Sequence, residues 1–566
     1  MKTAIRRADD SIHSMVSMLP TLPALLHHTG RPAPRNRFLL LRIAIVLIAG
    51  GAHAASMAWP FSFGFAHGQP VWWMQVMAMA LLAGQIDAQV SFRDWKRAAL
   101  LGGLFATAML CGTFWWLYIS MHTYGGLAAP LTMLAIVLLA AFLALYYAVA
   151  CGLFVLSAPE FLAQRAVVFA ALWLMAELAR VQFFTGFPWG ESGYAHVDGW
   201  AAPLAAWVGV HGLSFLAAFV AAWLVMSLRA HRIRWTTVLC IALVSVAAAW
   251  MPVQSGPQIG LAVAAPGTLS VTLLQGNIAQ NEKFERGTGV AAALAWYGEK
   301  LQAASSALVV APETAIPMLP TQLPEGYWQA LTSRFAQGQQ AALVGVPLGD
   351  PQNGYSNSVV GLKPGLTGEK GEPGEPYRYD KHHLVPFGEF IPPLFKWFTE
   401  MMSIPLGDFS RGAVGQPSFV WRGERLAPNI CYEDLFGEEL AARFANAATA
   451  PTIFVNVSNI GWFGDTIAID QHLSISRMRA LEFERPFMRA TNTGDTVVID
   501  HTGRVTHALA RHTRGVLLAQ VQGRDGLTVY AWWSARFGLW PLWILAAAVV
   551  VFATVLRLRQ PARHLP

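Results

Sequence analysis

The chain has 566 residues, 54% hydrophobic and 13% charged, with 22 Trp and a formal charge of +7. Soluble domains carry about 25% charged residues, so the composition argues against a wholly soluble chain and excludes disorder; four Cys in this length exclude a small disulfide scaffold. The basic excess leaves nucleic acid, an anionic membrane surface or membrane sidedness open, and the placement of the charges decides among them.

Residues 1–37 are basic but lack a cleavable signal pattern, and read as a cytoplasmic N-terminal tail. Apolar runs long enough to cross about 30 Å of hydrocarbon follow at 38–58, 71–86, 98–120, 127–157, 165–184, 201–228 and 235–252, with one more at 532–556. Lys and Arg gather in alternate connections: Arg31, Arg35 and Arg37 before the first span, Arg93, Lys96 and Arg97 after the second, Arg165 before the fifth, Arg229, Arg232 and Arg234 after the sixth, and Arg557, Arg559 and Arg563 after the last. The connections 59–70, 121–126 and 185–200 contain no Lys or Arg. Under the positive-inside rule both termini are cytoplasmic and the segment between spans seven and eight is exported. The expected organisation is a tail (1–37), a seven-helix membrane domain (38–252), a periplasmic catalytic domain (253–530), and a last transmembrane helix with a cytoplasmic C-terminus (531–566).

Within 253–530, strand-like bursts at SVTLLQGN, SALVVAPET, AALVGVP, SNSVVGL, TIFVNVSN and DTVVIDH alternate with helical stretches such as VAAALAWYGEKLQAA, the pattern of an α/β domain. This region holds 21 Lys and Arg against 25 Asp and Glu, about −4, which leaves about +11 for the rest. A nucleic-acid surface is not supported by that distribution. The Gly365 to Pro376 segment, GLTGEKGEPGEP, imitates collagen over four triplets, too few for a triple helix, and reads as a surface loop.

Cys111, Cys151 and Cys240 fall in predicted spans, so Cys431 is the lone thiol of the exported domain. In LAPNICYEDLF it sits where an apolar strand gives way to a helix start. There a sulfur is exposed and the following N–H groups, beginning with Tyr432, face a developing oxyanion. Glu313 closes an apolar strand in VVAPETAIP, where a carboxylate can act as base; Lys381 in YRYDKHHLVPFGEF can stabilise an oxyanion by charge. Each taken singly is equally an ordinary residue: a buried core thiol, a loop glutamate, a solvated lysine. His382 and His383 have no second ligand cluster, so no metal is expected.

Taken in order, PET, DKHHLVPFGEF and NICYED resemble the carbon–nitrogen hydrolase (nitrilase) superfamily across 270–520. The resemblance implies an αββα sandwich with a Glu-Lys-Cys triad: Glu313 as general base, Lys381 as oxyanion stabiliser, Cys431 as nucleophile. Glu389 would orient the Lys381 ammonium. Tyr432 and Glu433 flank the nucleophile as supporting residues. The eight spans, together with LLQGNIAQ, SNIGWFGDTIAIDQHL, RMRALEFERPFMRATNTG and the exported FPWGESGY, resemble the apolipoprotein N-acyltransferase branch. That likeness implies a multi-pass protein of the bacterial inner membrane without a cofactor, expected to be a monomer. It would move an acyl chain from a membrane phospholipid, through a Cys thioester, to the α-amine of a diacylglyceryl-cysteine apolipoprotein.

Phe284, Trp462 and Phe463 are candidate substrate contacts, with Phe284 standing where the family has Trp; for Trp462 and Phe463 core packing is the equal alternative. Arg477, Arg479, Glu482, Glu484, Arg485 and Arg489 read first as a charged helix ending near Pro486. A membrane-anchored amidase using the same triad is the alternative function. A transporter with an exported binding domain is a further one, with Glu177 and Arg180 its only intramembrane pair.

Overall fold

The computed structural model describes residues 38–230, 267–365, 375–391 and 409–559. The N-terminal tail, the expected span 235–252 and most of the Gly365 to Pro376 loop lie outside the described residues.

The membrane domain is built from α1 (Leu39–Met57), α2 (Trp72–Val90), α3 (Trp95–Phe114), α4 (Ala129–Ser157), α5 (Leu162–Gln182) and α6 (Ala205–Arg229). All but α2 are long and apolar enough to cross a membrane by length and composition, and so is the C-terminal α12 (Trp540–Arg559). The α2 helix continues to Val90, beyond the expected end at 86. Small residues let helix backbones approach closely: a Cβ on Gly102 of α3 would meet Cys151 Sγ of α4 at 2.4 Å.

The expected last span divides in two. Helix α11 (Val529–Phe537) buries Tyr530 and Ala531 in the α/β domain, and only α12, beyond Gly538, is the long apolar helix. The break falls at Gly538, whose φ of +54° ends α11.

The α/β domain contains β1 (Leu269–Gln275), α7 (Ala291–Ala303), β2 (Leu308–Ala311), α8 (Tyr327–Gln337), β3 (Ala341–Asp350), β4 (Gly354–Leu362), β5 (Tyr377–Asp380), β6 (Phe419–Trp421), β7 (Glu424–Ile430), α9 (Gly437–Ala441), β8 (Ile453–Ser458), α10 (Ala468–Phe483), β9 (Phe487–Thr491), β10 (Val497–Ile499), β11 (Val505–Ala508) and β12 (Gly515–Val521). They form two six-stranded sheets, ordered β12-β1-β2-β3-β4-β5 and β11-β10-β9-β8-β7-β6. In each the central three strands, β1–β2–β3 and β7–β8–β9, are parallel.

Strand residues alternate between two cores. Leu308 and Val310 of β2 face the other sheet, where Ile430, Val455 and Val457 meet them, while Val309 and Ala311 pack under α7 and α8. On the far side Phe454 and Phe487 pack under α10 and α11. The layers are therefore helix, sheet, sheet, helix. Within RMRALEFERPFMRATNTG, Arg489 lies on β9 rather than on a helix, and Arg479, Glu482, Arg485 and Arg489 are buried, not solvated.

The two domains share one core. Tyr432, Leu435, Phe436, Ile469, Ile475 and Met478 of the α/β domain belong to the same apolar cluster as the membrane helices. At the base of α6, Gly209 has φ +66° and ψ −178°, and a Cβ there would meet the Tyr530 ring at 2.4 Å. Gly209→Ala is expected to cost about 1–3 kcal/mol through strain alone, lowering the thermal midpoint of the detergent-solubilised protein.

Candidate active site

Parallel strands deliver their following residues to one edge of the sheet, the usual place for chemistry in such folds. Glu313 follows β2, Cys431 follows β7 and Asn459 follows β8, while Lys381 follows β5 from its antiparallel pairing with β4. Glu313, Lys381 and Glu389 are almost fully buried.

Lys381 is the hub. Its Nζ lies 2.9 Å from Glu389 Oε1, 2.8 Å from Glu389 Oε2 and 3.5 Å from Glu313 Oε1. Burial works against the ammonium, but Glu389 and then Glu313 outweigh it and hold the group above the usual lysine range. Asn357, from the middle of β4, donates its Nδ2 to Glu313 Oε1 at 2.7 Å and to Glu389 Oε1 at 2.9 Å. The other Glu313 oxygen accepts the Asn459 N–H at 2.8 Å. Both carboxylates are thus fixed by neutral donors as well as by the cation.

Cys431 opens a short 3₁₀ turn with φ +51°, a left-handed backbone that a non-glycine residue adopts only when its surroundings enforce it. Glu433 does so. One oxygen accepts from Ile430 N–H (2.7 Å) and Tyr379 O–H (2.8 Å), the other from His382 N–H (2.6 Å) and His383 N–H (3.2 Å). The same side chain therefore ties the Cys431 turn to the segment that follows Lys381. Behind the turn, Asp434 accepts from His472 Nε2 at 2.8 Å, and Arg489 Nη2 lies 3.2 Å from His472 Nδ1. Burial and the Glu313 carboxylate push the Cys431 thiol up to about 12, partly opposed by Lys381 and the Ser458 hydroxyl. At neutral pH this is a thiol that needs a base.

The membrane domain reaches the same turn. Tyr432 O–H donates to Gly186 O at 3.2 Å and its ring stacks near Phe187, while His383 Nε2 bonds Thr185 O at 2.9 Å. Glu177 of α5 accepts from the Ser192 N–H (2.9 Å) and hydroxyl (2.6 Å), and Arg180 donates to Pro188 O and Trp189 O. This pair braces the loop on which the Cys431 turn is seated. Phe463 is wedged against Trp116 and Trp189, with ring centroids 4.3 and 6.1 Å away, whereas Trp462 meets Tyr124 and Phe284 remains exposed. His382 Nδ1 donates to Gly412 O, and His383 Nδ1 lies 2.9 Å from Glu439. Among the described residues no group of side chains has metal-binding arrangement.

Sequence reading missed Asn357, Asn459 and Lys283, the last with its Nζ on the Glu313 carbonyl at 3.0 Å. The signal for Asn357 was a polar residue inside the apolar strand SNSVVGL, since a buried amide in a strand interior needs partners. The signal for Asn459 was its place directly after TIFVNVS.

The architecture is that of a carbon–nitrogen hydrolase domain carried on a helical membrane domain. A model described as "Carbon-nitrogen hydrolase" matches residues 270–526, and one described as "Apolipoprotein N-acyltransferase N-terminal domain" matches 52–223. The chain belongs to the apolipoprotein N-acyltransferase family. It is 58% identical over 509 residues to the apolipoprotein N-acyltransferase of Verminephrobacter eiseniae, covering 87% of this chain and 92% of that one. To that of Ralstonia nicotianae it is 43% identical, covering 87% and 90%. Among solved structures it is similar to a carbon–nitrogen hydrolase from Helicobacter pylori, at 14% identity and a TM-score of 0.34 over 53% of this chain and 97% of that one.

Removing the shared donor should loosen both carboxylates. Asn357→Leu is expected to lower turnover about tenfold or more, the equivalent of ~1.4 kcal/mol or above. Asn357→Asp, which sets a third carboxylate beside the other two, should be worse; equal turnover in steady-state assays of both variants and wild type would contradict this.

Proposed function

We propose that this chain completes lipoprotein maturation by transferring an acyl chain from a membrane phospholipid to the α-amine of a diacylglyceryl-cysteine apolipoprotein. The observation that carries the mechanism is the arrangement at the strand ends: Cys431 on its left-handed turn after β7, and the Glu313 carboxylate after β2 held by Asn357, Asn459 and Lys381; burial and Glu313 push the Cys431 thiol up. A thiol so raised is inert until a base takes its proton, and Glu313, the carboxylate whose charge acts most on it, is the base we assign.

In the first step Glu313 takes that proton and the sulfur attacks the ester carbonyl of the donor. The oxyanion forms against Lys381 and the Tyr432 N–H. Collapse expels the glycerol oxygen, which takes the proton back from Glu313 and leaves as lysophospholipid. In the second step the apolipoprotein amine attacks the thioester, Glu313 takes the amine proton, and the amide leaves as the Cys431 sulfur is reprotonated. One site used in turn by two lipids implies ping-pong kinetics. Glu389 and Asn357 keep Lys381 and Glu313 in place throughout, and Glu433 holds the Cys431 turn.

The tether has a physical reason. Each buried CH₂ is worth about 0.8 kcal/mol, so extracting a chain of about fifteen methylenes into water would cost on the order of 10 kcal/mol. Seating the site against the outer ends of the membrane helices avoids that cost. The exposed aromatics Phe61, Phe63 and Trp73 suit the headgroup level of a bilayer. We place the catalytic domain on the periplasmic side, both termini in the cytoplasm, and the protein as a monomer; Phe284 and Trp462 are our candidates for contacts to the incoming lipids.

Incubation of the purified protein with labelled phospholipid should give a hydroxylamine-labile acyl adduct on Cys431 that disappears when diacylated lipopeptide is added. Cys431→Ser should lose the labile adduct. Release of free fatty acid at the same rate without lipopeptide would show that water is the acceptor, and no adduct in the wild type would overturn the mechanism.

A further inference from the structure

The segment between β1 and α7 turns back beneath the end of β2 and touches Glu313 by two routes. Gln280 Oε1 accepts from Asn459 Nδ2 at 2.8 Å, and the Asn459 N–H is the donor to Glu313 Oε2. Three residues on, Lys283 points inward with 2% exposure and donates its Nζ to the Glu313 carbonyl oxygen at 3.0 Å. That peptide is conformationally constrained, since Thr314 follows with φ +46°. Among the described residues this is the only hydrogen bond of the Lys283 ammonium, and it goes to a neutral acceptor. Buried cations ordinarily have an anionic partner, so the location calls for a reason.

Charge balance supplies one. Glu313 and Glu389 carry two negative charges and Lys381 one positive charge, which leaves the cluster at −1. The groups acting on Lys283 are Glu313 and Cys431; those acting on the thiol are Glu313, Lys381, Glu389 and the Ser458 hydroxyl. A protonated Lys283 brings the cluster to neutrality, both before and after the Cys431 proton moves to Glu313. No charge is then left uncompensated in the buried site at either stage.

Resting on the reading of Glu313 as base and Cys431 as nucleophile, we propose that Lys283 is a positioning residue for enzyme acylation. Its ammonium pins the peptide that presents the Glu313 carboxylate and supplies the positive charge that compensates the ionising thiol. Lys381 stays paired with Glu389 and free to meet the substrate oxyanion. Burial lowers the Lys283 ammonium to about 8, with Glu313 and then Cys431 drawing it back up, so the compensating charge is present below about pH 8 and is lost above it.

The test uses the full chain in lipid nanodiscs. The rate of iodoacetamide alkylation at Cys431 is followed from pH 6 to 10 by peptide mass spectrometry in wild type, Lys283→Met, Lys283→Gln and Lys283→Arg. Met removes donor and charge, Gln keeps a donor for the Glu313 carbonyl, and Arg keeps the charge. Met and Gln are expected to slow alkylation about tenfold at pH 7, one unit of thiol ionisation, with the gap closing above about pH 8; Arg should follow the wild type below about pH 8 and, because it keeps its charge, continue to rise above it. Gln carries the comparison if Met fails to fold. In the wild type alone the rise of rate with pH should flatten above about pH 8, a feature that needs no variant. A wild-type curve without that bend, or a slowing by Met and Gln that is the same at every pH, overturns the proposal and leaves Lys283 a packing residue. Failure of the wild type to form a phospholipid-derived thioester would instead defeat the underlying assignment of Cys431.

Discussion

A buried ammonium held between two carboxylates is the interaction on which the site depends. Lys381 could not remain charged at 1% exposure without Glu389 and Glu313 beside it, and the two glutamates could not stand so close together without Lys381 and the shared Asn357 amide. The pairing fixes three side chains from β4, from the end of β5 and from the end of β2 relative to one another. Glu433 then links the Lys381 segment to the Cys431 turn through four accepted hydrogen bonds. Both sheets of the sandwich are thereby locked together at the edge that carries Glu313, Lys381 and Cys431.

The same edge is locked to the membrane domain. Gln471 of α10 accepts from the indoles of Trp116 and Trp189 at 3.0 and 2.8 Å and donates to Thr113 O at 3.0 Å. Arg479 pairs with Glu482 at 3.1 Å and donates to Tyr194 O–H at 3.3 Å, while Glu482 accepts the Val210 N–H at 2.7 Å. Each of these groups is buried, so separating the domains would leave charges and polar groups without partners, at a cost of several kcal/mol. The height of the reactive edge above the helices follows from this polar joint together with the shared apolar core.

Much of this was legible in the sequence because its signals are local. Apolar runs marked the helices and β-branched bursts marked β1, β2, β3, β4, β8 and β10; Glu313, Lys381 and Cys431 stood out only together, through the motifs that resemble the family. The rest depends on contacts distant in the chain. The strands β5, β6, β11 and β12 are the sheet edges, and their pairing, not composition, defines them. The apolar run 532–556 concealed a break at Gly538, since hydropathy does not distinguish a helix packed on a protein core from one facing lipid. The charged residues of RMRALEFERPFMRATNTG read as one charged helix because partners such as Tyr194 and Val210 lie hundreds of residues away. Lys283 went unread for the same reason: its partner is a backbone carbonyl thirty residues on, invisible to any pattern of side chains.

The central claim is that the Lys381-clamped Glu313 carboxylate takes the Cys431 proton. The most direct measurement is the single-turnover rate of thioester formation in Glu313→Gln, which keeps the size and hydrogen-bonding reach of the side chain, alongside its melting temperature. The account predicts acylation slowed by about 10²–10⁴-fold, the usual worth of a general base, in a protein that melts with the wild type. A thioester forming at the wild-type rate would contradict it.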